Sequence, residues 1–340
     1  MIIRKAAVVS RIAFVAGALL LLVNTFLLVP LNVDTATPTA AAAGLQKVVV
    51  TIPAMTVVFV PFYLGKELGF YKGEGIDLEI MIMRSDVVSA GLVSGEVHYG
   101  TPLSNYVHAA AAGTPIKLVM SIQHKGEYTE FMMAKGFTSI EQLKGQIIGI
   151  TARNGNLHLI SIAILKAHGV SEKEVTFISY PGASELMYAL EVGAVKAATM
   201  PPPYNIFMSR KGFRILGHGP DYYYGHLIGL VTSEKYIRDS RPAVVAMIRA
   251  TLRTLRYIKE NPTESTDFIE KHQRTPDREV AKKLYEMMAD IGSKDGDITE
   301  QWVQDRLVEM KQFGGTPKVD DPRKILDLGP LQEARAGLKY

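Results

Sequence analysis

Leu92-Val93-Ser94-Gly95-Glu96-Val97, leading to Thr101, recurs 98 positions later as Leu190-Glu191-Val192-Gly193-Ala194-Val195, leading to Thr199. In both copies an amphipathic run ends at a glycine, the residue that enters the left-handed conformation of a helix end at least cost, and a short apolar strand follows. Two copies of one helix-to-strand passage imply two similar lobes. A cleft between them is a natural place for a ligand.

Working outward from the first copy, residues 47–52 and 76–83 have the β-branched, apolar character of strands, and 61–69 and 86–93 read as helices, the latter with Ser85 or Asp86 as N-cap. With a strand at 97–100 they make a βαβαβ unit, which favours a parallel sheet with right-handed crossovers. The second copy closes the same order: strands at 146–151, 175–180 and 194–200 alternate with helices at 157–168 and 184–192. Between the units come a helix at 104–112 and a strand at 116–122, and residues 131–134 then enter the second lobe. After them, short strands at 213–216 and 228–232 flank a Gly/Tyr-rich loop at 217–225 that reads as a return crossing. Helices are expected at 242–260, 276–290 and 299–312, followed by a loop-rich tail from Gly314. The predicted fold class is α/β, with two doubly wound lobes joined by a two-segment hinge. The first lobe would comprise 44–125 and 226–340, the second 126–225.

The helix at 242–260 aligns Val245, Ile248, Leu252, Leu255 and Ile258 at three- and four-residue spacing, a stripe expected to pack on the first lobe. Arg249, Arg253, Arg256 and Lys259 run along the same helix as either a solvated polar face or a docking surface.

The first 43 residues differ from the rest. Arg4, Lys5 and Arg11 precede an apolar stretch that runs, with an interruption at Asn24-Thr25, to Leu31, and Ala41-Ala42-Ala43 offers a small-residue cleavage site before Gly44. This is an export signal peptide if cleaved and a membrane anchor if not, since the stretch is longer than a usual signal core. The expected location is periplasmic. The chain of 340 residues has no cysteine, so disulfides, thiol catalysis, thiolate metal sites and a lipoprotein anchor are excluded. From residue 44 onward 35 basic residues face 33 acidic ones, too even a balance for a nucleic-acid binder.

Enzyme motifs are missing: the sequence has no H-E-x-x-H, no phosphate loop, no G-x-S-x-G elbow and no G-x-G-x-x-G after a strand. The eight histidines show no metal-ligand spacing. No catalytic residue, metal or cofactor is called for. What the chain offers is a set of strand exits running into helix starts, where unpaired N–H groups favour polar ligand atoms and where open α/β sheets gather their ligands. The candidate contacts are Met55 and Thr56 after the first strand, Ser85 after the second, and Thr101, Ser104 and Asn105 after the third. In the second lobe they are Asn154 and Asn156, Ser184, and Met200, Pro201 and Tyr204 around three successive prolines. Tyr223 adds aromatic surface from the return crossing. Each polar candidate before a helix could also be a plain cap. Arg84 and Arg153 could pair with a carboxylate or sulfonate. The apolar and tyrosine-rich loops favour an organic molecule over nitrate.

The segments Pro61-Phe62-Tyr63-Leu64-Gly65-Lys66-Glu67-Leu68-Gly69-Phe70-Tyr71, Glu74-Gly75-Ile76-Asp77-Leu78-Glu79, 92–100, Ala112-Gly113-Thr114-Pro115-Ile116-Lys117, Leu143-Lys144-Gly145 with Ile148-Gly149, and 190–198 together resemble the periplasmic substrate-binding proteins of ABC importers, of the nitrate/sulfonate/taurine and thiamine-precursor type. The resemblance spans about residues 46–270. It implies a type II periplasmic binding protein fold that closes on its ligand by hinge motion. It also implies a small-molecule ligand, an ABC permease as partner and contacts at the strand exits above; the protein is expected to be a monomer. Two rivals accompany it: a membrane-anchored ligand sensor or accessory protein, and an enzyme resembling the fungal pyrimidine synthases, whose cysteine-rich segment this chain lacks. The chain departs from the family pattern at His98 and Lys196, where members often carry aspartate.

Overall fold

The computed structural model describes residues 44–338 apart from Ala54, Glu127, Asn154, residues 224–227 and Phe313, and without the side chains of Ser85 and Asp86. The leader and its two readings lie outside the described residues. Residues 44–340 form one compact unit.

Among the described residues, ten strands build two sheets of the same plan. They are β1 (Gln46–Ile52), β2 (Ile76–Ile82), β3 (Gly100–Pro102), β4 (Ile116–Ser121), β5 (Glu130–Met133), β6 (Ile147–Ile150), β7 (Thr176–Ser179), β8 (Ala197–Met200), β9 (Arg214–His218) and β10 (Ile228–Ser233). The second sheet has the order β7-β6-β8-β5-β9, with β6 parallel to β7 and β8, and β5 antiparallel to β8 and β9. In the first, β2-β1 are parallel, β3-β10-β4 are antiparallel, and a bridge from Val50 to Tyr99 joins the two groups. Read as β2-β1-β3-β10-β4, the first sheet matches the second strand for strand. The duplicated sequence leads into β3 and β8, which hold equivalent places, and its glycines close the preceding helices in the left-handed region, Gly95 at φ 88° and Gly193 at φ 75°.

The antiparallel strand of each sheet arrives from the other. β5 is the first strand after the chain leaves the first sheet, and β10 the first after it leaves the second. The connection is therefore made twice, as expected for a two-segment hinge.

β1 and β6 are almost fully buried, with Val48, Val50, Ile52, Ile148 and Ile150 excluded from solvent, as parallel strands covered on both faces require. The stripe on the long helix, Arg241–Glu260, is buried and packs on the helix Val60–Glu67 and on the short helix Phe70–Gly73, whose Tyr71 Oη lies 3.1 Å from Thr251 Oγ1. Its basic row pairs within the chain, while Arg253 and Arg256 stay exposed to solvent. Arg249 and Arg253 both pair with Glu74, at 2.8 and 3.0 Å, Arg256 pairs with Glu260, and Lys259 donates to the Gly292 carbonyl.

Several element assignments differ from the sequence reading. The third strand begins at Gly100 rather than 97, because Val97–Tyr99 form the approach and only Tyr99 bridges β1. The return crossing contains a short helix, Gly219–Tyr222. The tail from Gly314, expected to be loop-rich, holds a helix, Gly329–Ala336.

Candidate functional site

The loop that leaves β1 carries Met55, exposed, and Thr56, buried. Thr56 precedes the single 3₁₀ turn Val57–Phe59, yet its hydroxyl makes no capping bond, and its Oγ1 is enclosed without a hydrogen-bond partner in the protein. The equivalent exit from β6 starts the helix Asn156–Ala167, whose Asn156 Oδ1 is likewise enclosed and unpartnered. Neither is a satisfied cap. Buried polar atoms left unpaired cost roughly 1–3 kcal/mol each, and these two lie at equivalent strand exits.

After β3, Ser104 is buried beside the Tyr223 phenol, and Asn105 is half-buried. Tyr223 comes from the return crossing and donates to Glu309 at 3.3 Å. Arg306 lies 4.7 Å from the centre of its ring and pairs with Glu309 at 2.8 Å. Burial raises the pKa of Glu309, against the opposing pull of Arg306. The structure thus joins two predicted positions from different parts of the chain, Ser104 and Tyr223, and secures them with the helix Glu300–Gln312.

Other predicted residues have partners elsewhere. Thr101 is fully buried and donates to the Thr51 carbonyl at 2.9 Å; its counterpart Thr199 shares a hydrogen bond of 2.7 Å with Ser161. Met200 and Pro201 are buried, Met200 in a core cluster with Leu186 and Met208, and Tyr204 packs on that cluster with its ring edge toward Phe207. Ser184 is exposed, donates to Glu185 at 2.8 Å and borders a groove of about 480 Å³ on the second sheet's outer helix, with Tyr180, Tyr188 and Val192. Ser85 opens the helix Ser85–Ser94, and Asn154 lies outside the described residues. Arg153 is exposed and stands 4.0 Å from Glu172.

A cavity of about 540 Å³ opens where the exits of the second sheet meet the helix Arg278–Ile291, which packs on the Val57–Phe59 turn of the first. Tyr128, Glu130, Asn205 and Arg210 line it from one side, Met287 and Asp290 from the other. Glu130 pairs in register with Met200 on β8 and with His218 on β9, so the sheet carries its carboxylate to the strand exits. Burial raises its pKa, while His218 and the Asn205 side chain pull the other way. Asp290 receives Lys125 at 2.6 Å and the Tyr128 hydroxyl, and these contacts hold its pKa low. Arg210 reaches across to Asp277 with bonds of 2.6 and 3.3 Å.

The sequence reading missed Glu130, Asn205 and Arg210. A lone acid leading the apolar strand Phe131–Met133 was a usable signal, and Asn205 directly follows the chosen Tyr204.

Residues 56–265 match the family described as NMT1/THI5 like. The chain belongs to the NMT1/THI5-like family. Over 273 residues, 74% of this chain and 75% of the relative, it is 26% identical to the riboflavin-binding protein RibY of Chloroflexus aurantiacus. Among solved structures, a protein of Bordetella bronchiseptica RB50 superposes with a TM-score of 0.72 at 18% identity, over 85% of this chain and 97% of that one. The ligand-binding component of an ABC-type import system from Staphylococcus aureus gives 0.67 at 15% identity, over 85% and 99%. This NMT1/THI5-like chain therefore has the periplasmic binding protein fold of ABC import systems. His98 and Lys196, its departures from the pattern, serve the scaffold: His98 Nδ1 accepts the Val49 N–H at 3.0 Å, and Lys196 donates to the Gly193 carbonyl at a helix end.

Proposed function

We propose that the protein is an extracytoplasmic solute-binding component of an ABC importer, capturing a small organic ligand, of sulfonate, carboxylate or pyrimidine-like character, between its two sheets and delivering it to a permease. The observation that carries this reading is the cavity walled by strand exits of one sheet and a helix packed on the other. A volume of about 540 Å³ is in the range of sites for small organic molecules. The unpartnered Thr56 and Asn156 and the Ser104–Tyr223 contact add polar and aromatic groups at exits of both sheets. The family, and the name of RibY, support a ligand larger than a simple ion. Binding and release require no covalent chemistry. We further propose lobes of 44–125 with 226–340, and of 126–225, as the bodies that close. The apolar leader would direct export.

A thermal-shift screen of the exported protein against sulfonates, aromatic carboxylates, aminopyrimidines and flavins tests the reading. A true ligand at one hundred times its Kd adds about 2.7 kcal/mol of stability and raises the midpoint. A flat response across the whole panel contradicts it.

A further inference from the structure

The proposed function leaves open whether the ligand is an anion or a donor of hydrogen bonds, and the charges of the cavity distinguish the two. Arg210 is committed to Asp277 through two bonds, and Asp290 to Lys125 and Tyr128. Lys283 and Glu286, of opposite sign, are both exposed at the rim on one helix face, three positions apart. Glu130 is what remains. Its side chain is only 20% exposed, and its partners are the Asn205 side chain and His218, whose Nδ1 at 3.8 Å is beyond hydrogen-bond reach. Among the described residues no lysine or arginine pairs with it.

An ionised carboxylate accepts hydrogen bonds and cannot donate them, and one amide does not fill the lone pairs of two oxygens. A half-buried carboxylate with spare acceptor capacity attracts N–H and O–H groups and repels anions more strongly than it would in water.

We infer that this cavity selects a neutral or cationic organic ligand that donates N–H or O–H bonds to Glu130, and discriminates against organic anions. The inference rests on the solute-capture reading. Glu130 is then the specificity-determining residue, with Asn205 positioning its carboxylate, and the sulfonates and carboxylates drop out of the ligand classes.

Isothermal titration of the exported protein tests this with riboflavin, 4-aminopyrimidine and benzamidine as donors, and hexanesulfonate and benzoate as anions. The expected result is binding of at least one donor probe and of neither anion. Glu130→Gln weakens the donor at least tenfold while its circular dichroism and thermal midpoint stay near those of the parent. Should Glu130→Gln fail to fold, Glu130→Asp, which keeps the charge and withdraws it by one methylene, is expected to show an intermediate loss. Preferential binding of either anion, or donor binding that Glu130→Gln leaves unchanged, overturns the inference while solute capture stands. Binding of none of the five probes counts against solute capture itself, and the inference falls with it.

Discussion

At the scale of single residues, the histidines show how burial divides structural from titrating groups. His98 accepts the Val49 N–H through Nδ1, and burial lowers its pKa, which keeps the ring in the neutral form that can accept. His158 is buried edge-on to Phe177, its Nε2 3.8 Å from Glu172. Burial first, and the charge of Arg153 second, depress its pKa from 6.5 to about 4. The unfolded chain therefore binds a proton at this position between those values while the folded one does not, so the stability this group contributes is complete above pH 6.5 and is lost as the pH falls toward 4. His158→Gln should flatten the decline of the thermal midpoint over that interval, measured in parallel scans of parent and variant. An equally steep decline would show that other groups dominate.

The residues legible in the sequence were those whose local context sets their role. Thr56 and Asn156 come shortly after β1 ends at Ile52 and β6 at Ile150, so their place in the exit loops could be read. Thr101 could not be distinguished from them, because the Thr51 carbonyl that takes its hydroxyl belongs to a strand far away in the chain. Glu130 was illegible for the same reason: its surroundings, Met200 and His218, are set by strand register and not by neighbours in sequence.

At the scale of elements, proline explains two omissions. The helices Pro262–Gln273 and Gly329–Ala336 carry proline in the first turn, where the missing N–H costs nothing, although the same residue inside a helix would break it. The strands and helices around the repeat were readable because apolar periodicity and terminal glycines agreed. Asp277 now has two duties. It caps the helix Arg278–Ile291 by accepting the Val280 N–H at 3.0 Å, and it receives Arg210 from the opposite wall of the cavity. Exposed ion pairs add little to stability, whereas an N-cap adds more. Asp277→Ala should therefore lower the thermal midpoint more than Arg210→Ala, while both variants speed ligand dissociation in stopped-flow traces. Equal midpoints, or an unchanged dissociation rate, would deny the pair its place across the cleft.

At the scale of the whole molecule, the two sheets repeat one order of strands, and each takes its antiparallel strand from the chain returning from the other. That exchange ties the halves together twice, and the crossings are the natural place for the hinge. Trp302, the chain's only tryptophan, lies 5.8 Å from Arg306, which stacks on Tyr223 of one crossing. The central claim is that one small molecule is held between the sheets. A crystal structure of the complex with the tightest ligand from the screen tests it most directly. The account predicts one ligand per chain, contacting Glu130 or Asn205 from the second sheet and the helix Arg278–Ile291 or Thr56 from the first. A ligand held by residues of one sheet alone, such as the groove beside Tyr188, would contradict it.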